Sequence, residues 1–103
     1  MSQKRIWQFS GFKLIVMKIA EPGKYSLEFI GGIDYQSDGT IELRGERKKV
    51  QSDLDYLFTP KKAMSNSENR FELNFMLENK AEKFEKWLEK IVKDCRAVPE
   101  NVP

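Results

Sequence analysis

The 103-residue chain predicts an α+β fold: a mainly antiparallel sheet of about 5–7 strands with one long C-terminal amphipathic helix packed on it. Three observations carry that expectation. Apolar residues alternate with period two over residues 4–9, 25–29 and 71–77. Turn signals at Ser10-Gly11, Pro22-Gly23 and Gly31-Gly32 punctuate the first third at strand-length intervals. Finally, Ala81, Phe84, Trp87, Leu88, Ile91 and Cys95 recur at helical spacing, with Val92 at the margin of the stripe.

The elements follow in order. Over residues 4–9, Arg5, Trp7 and Phe9 share one face and Lys4, Ile6 and Gln8 the other. Phe12–Ala20 is apolar on both faces except at Lys13 and Lys18, and its Ile15, Val16 and Ile19 suit a central strand. Pro22 presets φ for a turn and Gly23 supplies the next position. Pairing Glu21 with Lys24 sets Ala20 opposite Tyr25, Lys18 opposite Leu27 and Val16 opposite Phe29. That register stacks Phe12, Leu14 and Val16 on the face of Tyr25, Leu27 and Phe29.

Gly31-Gly32 permits a bend. A second hairpin follows around Ser37-Asp38-Gly39. A two-residue turn there would put Ile33 and Tyr35 on the face opposite to Ile41 and Leu43. A three-residue loop with Gly39 left-handed pairs Tyr35 with Ile41 and Ile33 with Leu43, keeps the four together, and is the predicted register. The strand is expected to run on to Val50. Ser52 then caps a short helix carrying Leu54, Leu57 and Phe58, which Thr59-Pro60 ends. Residues 61–69 read as a loop, and 71–77 as a half-buried strand.

Asn79 caps the last helix, with Glu82 at its third position. Glu82–Lys86 and Glu89–Lys93 pair along its wet side, and Lys93 and Arg96 suit its negative end. With neither a repeat nor a linker in view, residues 1–98 form one compact domain and 99–103 a flexible tail marked by Pro99 and Pro103.

Composition narrows the chemistry. There is no His, which removes the commonest general base and metal ligand, and a single Cys, which removes an intramolecular disulfide. A buried small side chain is the plain reading of Cys95, and a core anchor that of Trp87. No P-loop, Gly-x-Gly-x-x-Gly or Gly-x-Ser-x-Gly motif occurs. The pairs Asp53/Asp55 and Asp34/Asp38 could offer oxygens to a cation, but the first fits a helix start and the second turn chemistry. No catalytic, cofactor or metal site is therefore assigned. No transmembrane segment or signal peptide is legible, and with one unpaired Cys the expected compartment is the cytoplasm.

Net charge is +2, so affinity for a polyanion would need a local patch. Arg44, Arg47, Lys48 and Lys49, with Lys61 and Lys62, are the candidate phosphate-binding residues for nucleic acid or anionic lipid. The competing reading is an edge strand guarded by cations.

The order of elements, strands up to residues 71–77 closed by a helix bearing Phe84 and Trp87, resembles pleckstrin-homology-like domains. The resemblance implies a run of antiparallel strands capped by the C-terminal helix. The basic cluster that holds phosphoinositides in such domains has no counterpart in the first hairpin, where Lys13, Lys18 and Lys24 are spread over two faces.

The expected function is a small non-enzymatic binding module. Its partner is another protein or a second copy, met through a sheet edge or an exposed face. Ile15, Met17 and Ile19, on the side of Phe12–Ala20 that one helix would leave open, are the candidate partner surface.

Overall fold

Two short turns fold the first third of the chain into a three-stranded meander. A computed structural model describes residues 3–20, 23–35, 37–38, 41–58, 64–67, 70–75 and 78–100. The meander comprises β1 (Gln3–Phe9), β2 (Phe12–Ala20) and β3 (Lys24–Gly31). The chain continues through β4 (Ile33–Tyr35), β5 (Ile41–Leu43), α1 (Gly45–Phe58), β6 (Met64–Ser67), β7 (Arg70–Asn74), α2 (Glu78–Asp94) and β8 (Val98–Glu100). Among the described residues the main sheet has six strands in the order β6-β7-β3-β2-β1-β8, all antiparallel, and β4 and β5 form a separate hairpin. The fold is α+β, as the periodicities predict.

Alternation assigns the faces. Phe9, Phe12, Leu14, Val16, Tyr25, Leu27, Phe29 and Leu73 point to one side and are buried there. Both helices cover that side: Val50 and Leu54 of α1 and Ala81, Phe84, Trp87, Leu88 and Ile91 of α2 complete one core. Aromatic rings make its centre, with Phe84 4.7 Å from Tyr25, 5.5 Å from Phe75 and 5.9 Å from Trp87. These spacings suit tilted ring contacts.

The β2–β3 register differs from the expected one by two residues. Lys18 stands opposite Tyr25, Val16 opposite Leu27 and Leu14 opposite Phe29, with an irregularity between Lys18 and Ala20. A shift of two preserves every side chain's face, so the apolar stack survives it. The β4–β5 register is the predicted one, Ile33 opposite Leu43 and Tyr35 opposite Ile41. Gly39 itself lies outside the described residues.

Gly31 and Gly32 both have positive φ, 82° and 75°. This consecutive left-handed pair ends β3 and turns the chain into the small hairpin, whose base is closed by the Arg44 N–H donating to the Gly32 carbonyl at 2.8 Å.

The expectations for residues 44–69 are corrected: residues 64–67, read as part of a loop, form β6 and pair with β7. The strand drawn to Val50 stops at Leu43, and the helix begins at Gly45 rather than after Ser52. Its buried face is Arg47, Val50 and Leu54, a helical spacing in which an arginine takes an apolar position. Two residues assigned to the flexible tail, 99 and 100, are paired in a strand. Pro99 and Glu100 belong to β8, which pairs with β1 through Gln8–Val98, Trp7–Pro99 and Ile6–Glu100. A proline is tolerated there because an edge strand needs hydrogen bonds on one side only. The helix within the strand series and the strand after α2 are both departures from what the pleckstrin-homology-like resemblance implies.

The turn between α2 and β8 carries its own signature. Ala97 N–H donates to the Val92 carbonyl at 2.9 Å and Arg96 N–H to that of Lys93 at 3.2 Å, with Arg96 at φ 54°. This is a Schellman closure with arginine where glycine is usual.

Candidate interaction surface

Among the described residues, no helix packs on the other face of β1, β2 and β3. Ile6, Lys13, Ile15, Met17 and Glu28 are half-buried there, and Ile30 is 46% exposed. Pairing lines them up: Ile6 opposite Ile15 and Ile15 opposite Glu28, with Met17 between Lys4 and Ser26. The result is an aliphatic centre flanked by charges of both signs. Lys13 reaches Glu100 at 2.9 Å, and Arg70 Nε donates to Ser26 Oγ at 3.3 Å.

The three residues expected to form the partner surface are thus placed as follows. Ile15 and Met17 lie on this open face, half-buried by their neighbours, and Ile19 beyond them on the same strand is 39% exposed. Ile6, Ile30 and Val98 join them from β1, β3 and β8. Sequence reasoning missed these three because each is a single apolar residue on a polar strand face, informative only once the strand order is known.

The basic residues are placed differently. Arg44, Lys48 and Lys49 are exposed, but Arg47 is 0% exposed. Its guanidinium lies 5.3 Å from the centre of the Phe29 ring, and its stem covers the Gly32 backbone. Helical geometry causes this, since one turn cannot direct both Arg47 and Lys48 to solvent once Val50 faces the core. Arg47 therefore leaves the proposed phosphate-binding set, and Lys61 and Lys62 lie outside the described residues. Tyr56, at 84% exposure, is the most open of the exposed large hydrophobic residues, and it sits on α1. Trp7 is half-buried against the core.

One polar cluster was not legible at all. Glu85 of α2 receives both terminal nitrogens of Arg5 at 2.8 Å and the Tyr25 hydroxyl at 2.8 Å. The Arg5 hydrogen bonds hold the Glu85 carboxyl below the usual carboxylate range, against the opposing effect of burial, with the Tyr25 hydroxyl and Lys18 reinforcing the shift. Arg5 also lies over the Trp7 ring, 5.6 Å from its centre. All of Glu85's oxygens are engaged in fastening α2 to β1 and β3, so the cluster is a clamp. Cys95 is half-buried, and burial followed by the charge of Glu46 pushes its thiol up, away from the reactive thiolate. Among the described residues no three His, Cys, Asp or Glu gather to hold a metal ion, and no helix is long and apolar enough to cross a membrane. No protein-family model, curated protein or solved structure matches this chain.

Proposed function

We propose that the protein is a non-enzymatic binding module that engages another protein through the open face of its main sheet. The observation that carries this reading is the one-sided layering: both helices lie on one face, and Ile15 and Met17 centre the other. An aliphatic patch with a rim of both charge signs is the composition of a protein interface rather than of a polyanion site. The sheet edges support the reading less. β8 is three residues long and carries Pro99, and β6 is four residues long. Short strands and proline are the usual means of blunting an edge.

A photo-cross-linking amino acid at position 15 or 17 of the full chain, expressed in its native cells, tests the proposal. Adducts with protein that are absent when the probe sits at position 56 are the expected result. Adducts with lipid or nucleic acid alone, or none, would overturn it. A phosphate-binding reading rests on Arg44, Lys48 and Lys49, which are exposed around the first turn of α1. It requires salt-sensitive retention on nucleic acid or anionic vesicles that is lost when these three are changed to Glu.

A further inference from the structure

We infer that the occupant of the open face is a second copy of this chain, the two sheets packing face to face about a two-fold axis that runs along β2. The inference rests on the protein-binding reading above and names its partner. Residues paired across the ladders form rows on the outer face. One row holds Lys4, Met17, Ser26 and Glu72, and the next Glu100, Ile6, Ile15, Glu28 and Arg70. A two-fold axis parallel to the strands leaves each row at its own height and exchanges the two sides of β2. It lays β1 over the partner's β3 and β8 over the partner's β7.

The charges at the two ends of the Ile15 row then match. Glu100, at one end of its row, meets the partner's Arg70 at the other end. Lys4 comes over the partner's buried Ser26, with the partner's Glu72 one strand further on, and Ile6 comes over the partner's Glu28. On the axis itself Ile15 meets Ile15 and Met17 meets Met17. The like pair that the symmetry forces, Lys13 on Lys13, is already neutralised within each copy by Glu100 at 2.9 Å. Sheets stacked in this way sit about 10 Å apart, within reach of an opposed Arg and Glu. A rise of about 3.3 Å per residue and a spacing of about 4.8 Å give the five strands from β8 to β7 roughly 500 Å² per copy. Two copies bury roughly 1,000 Å², the lower end of specific interfaces, so the dimer is a weak and concentration-dependent one.

Sedimentation velocity of the full chain over a wide concentration range reads the outcome. The mass is expected to rise from 12.1 kDa towards twice that value. Arg70→Glu and Glu100→Arg should each weaken self-association about tenfold or more, because each reversal puts two like-charge contacts into the symmetric pair. Mixing the two variants should restore association, since the mixed pair has opposite charges at both corners. Circular dichroism and thermal melting establish that each variant is folded. A wild-type chain that stays monomeric, or a mixture that associates no better than its components, overturns the second-copy assignment. If position 15 nevertheless cross-links to other proteins, the protein-binding reading stands without it; if it cross-links to none, both fail.

Discussion

Replacing Gly32 by alanine tests the left-handed turn and the buried arginine together. Gly32 has φ 75°, and a Cβ there would lie 2.9 Å from Cδ of Arg47, 3.1 Å from Cβ of Phe12 and 3.4 Å from the Gly11 carbonyl. Gly31 has φ 82°, but its nearest neighbour would be the Gly11 carbonyl at 3.6 Å, an ordinary contact. The two substitutions therefore share a backbone cost and differ in a steric one. Left-handed backbone costs a residue with a Cβ about 1–2 kcal/mol. Overpacking adds about 1–3 kcal/mol at Gly32, because Arg47 is fully buried and cannot swing its stem aside, while Phe12 is held in the ladder. Gly32→Ala should thus destabilise more than Gly31→Ala by about 1–3 kcal/mol, or roughly 5–20 °C in melting temperature for a domain of this size. Urea unfolding of both variants beside the parent provides the measurement. Equal losses would refute the packing of Arg47 against this turn. A double variant with Arg47→Ala should shrink the gap, since it removes the obstructing methylene.

Phe84→Ala removes the ring that joins Tyr25, Phe75 and Trp87, and should cost about 3–5 kcal/mol in urea unfolding; a loss below about 2 would contradict the central placement of this residue. Glu85→Gln should cost only about 0.2–1 kcal/mol at neutral pH, because both partners of the ion pair are about one-third exposed and solvent screens them. The folded Glu85 carboxyl is held below its unfolded value, so its stabilisation is full above the unfolded pKa and is lost as pH falls through the folded one. The gap between parent and Glu85→Gln should accordingly close on acidification from neutral pH to below the ordinary carboxylate range, and a gap independent of pH would refute the clamp. Arg96→Gly should stabilise by less than about 1 kcal/mol, the relief of a left-handed arginine being partly offset by the greater freedom of glycine in the unfolded chain. A lower melting temperature for that variant would contradict the Schellman closure.

The elements that were legible in advance are those whose signal is local. The stripe from Ala81 to Ile91 writes α2 directly, and the demand that Ile33, Tyr35, Ile41 and Leu43 share a face fixes the β4–β5 register. The start of α1 was hidden because its first core position is an arginine. A hydrophobic pattern reads Arg47 as surface, whereas its methylene stem and flat cation find an apolar groove beside Phe29. Glu85 gives no local signal for a similar reason: its partner is Arg5, at the other end of the chain. The open face was half legible. Ile15 and Met17 appear in β2 as a second apolar side, but the sequence could not say that both helices would choose the first.

The pairing of β8 with β1 has a kinetic consequence. Nearly the whole described chain lies between Gln8 and Val98, so this ladder closes one of the longest loops in the molecule. Contacts of such high order form late, after local hairpins such as β1–β2 and β2–β3 are in place. Until they form, the outward-facing backbone groups of the seven-residue β1 are an open edge, a template for non-native strand addition. The three residues of β8, individually worth little as packing, thus act as a late latch, and the Arg96 turn that aims them at β1 governs how long the unlatched species persists.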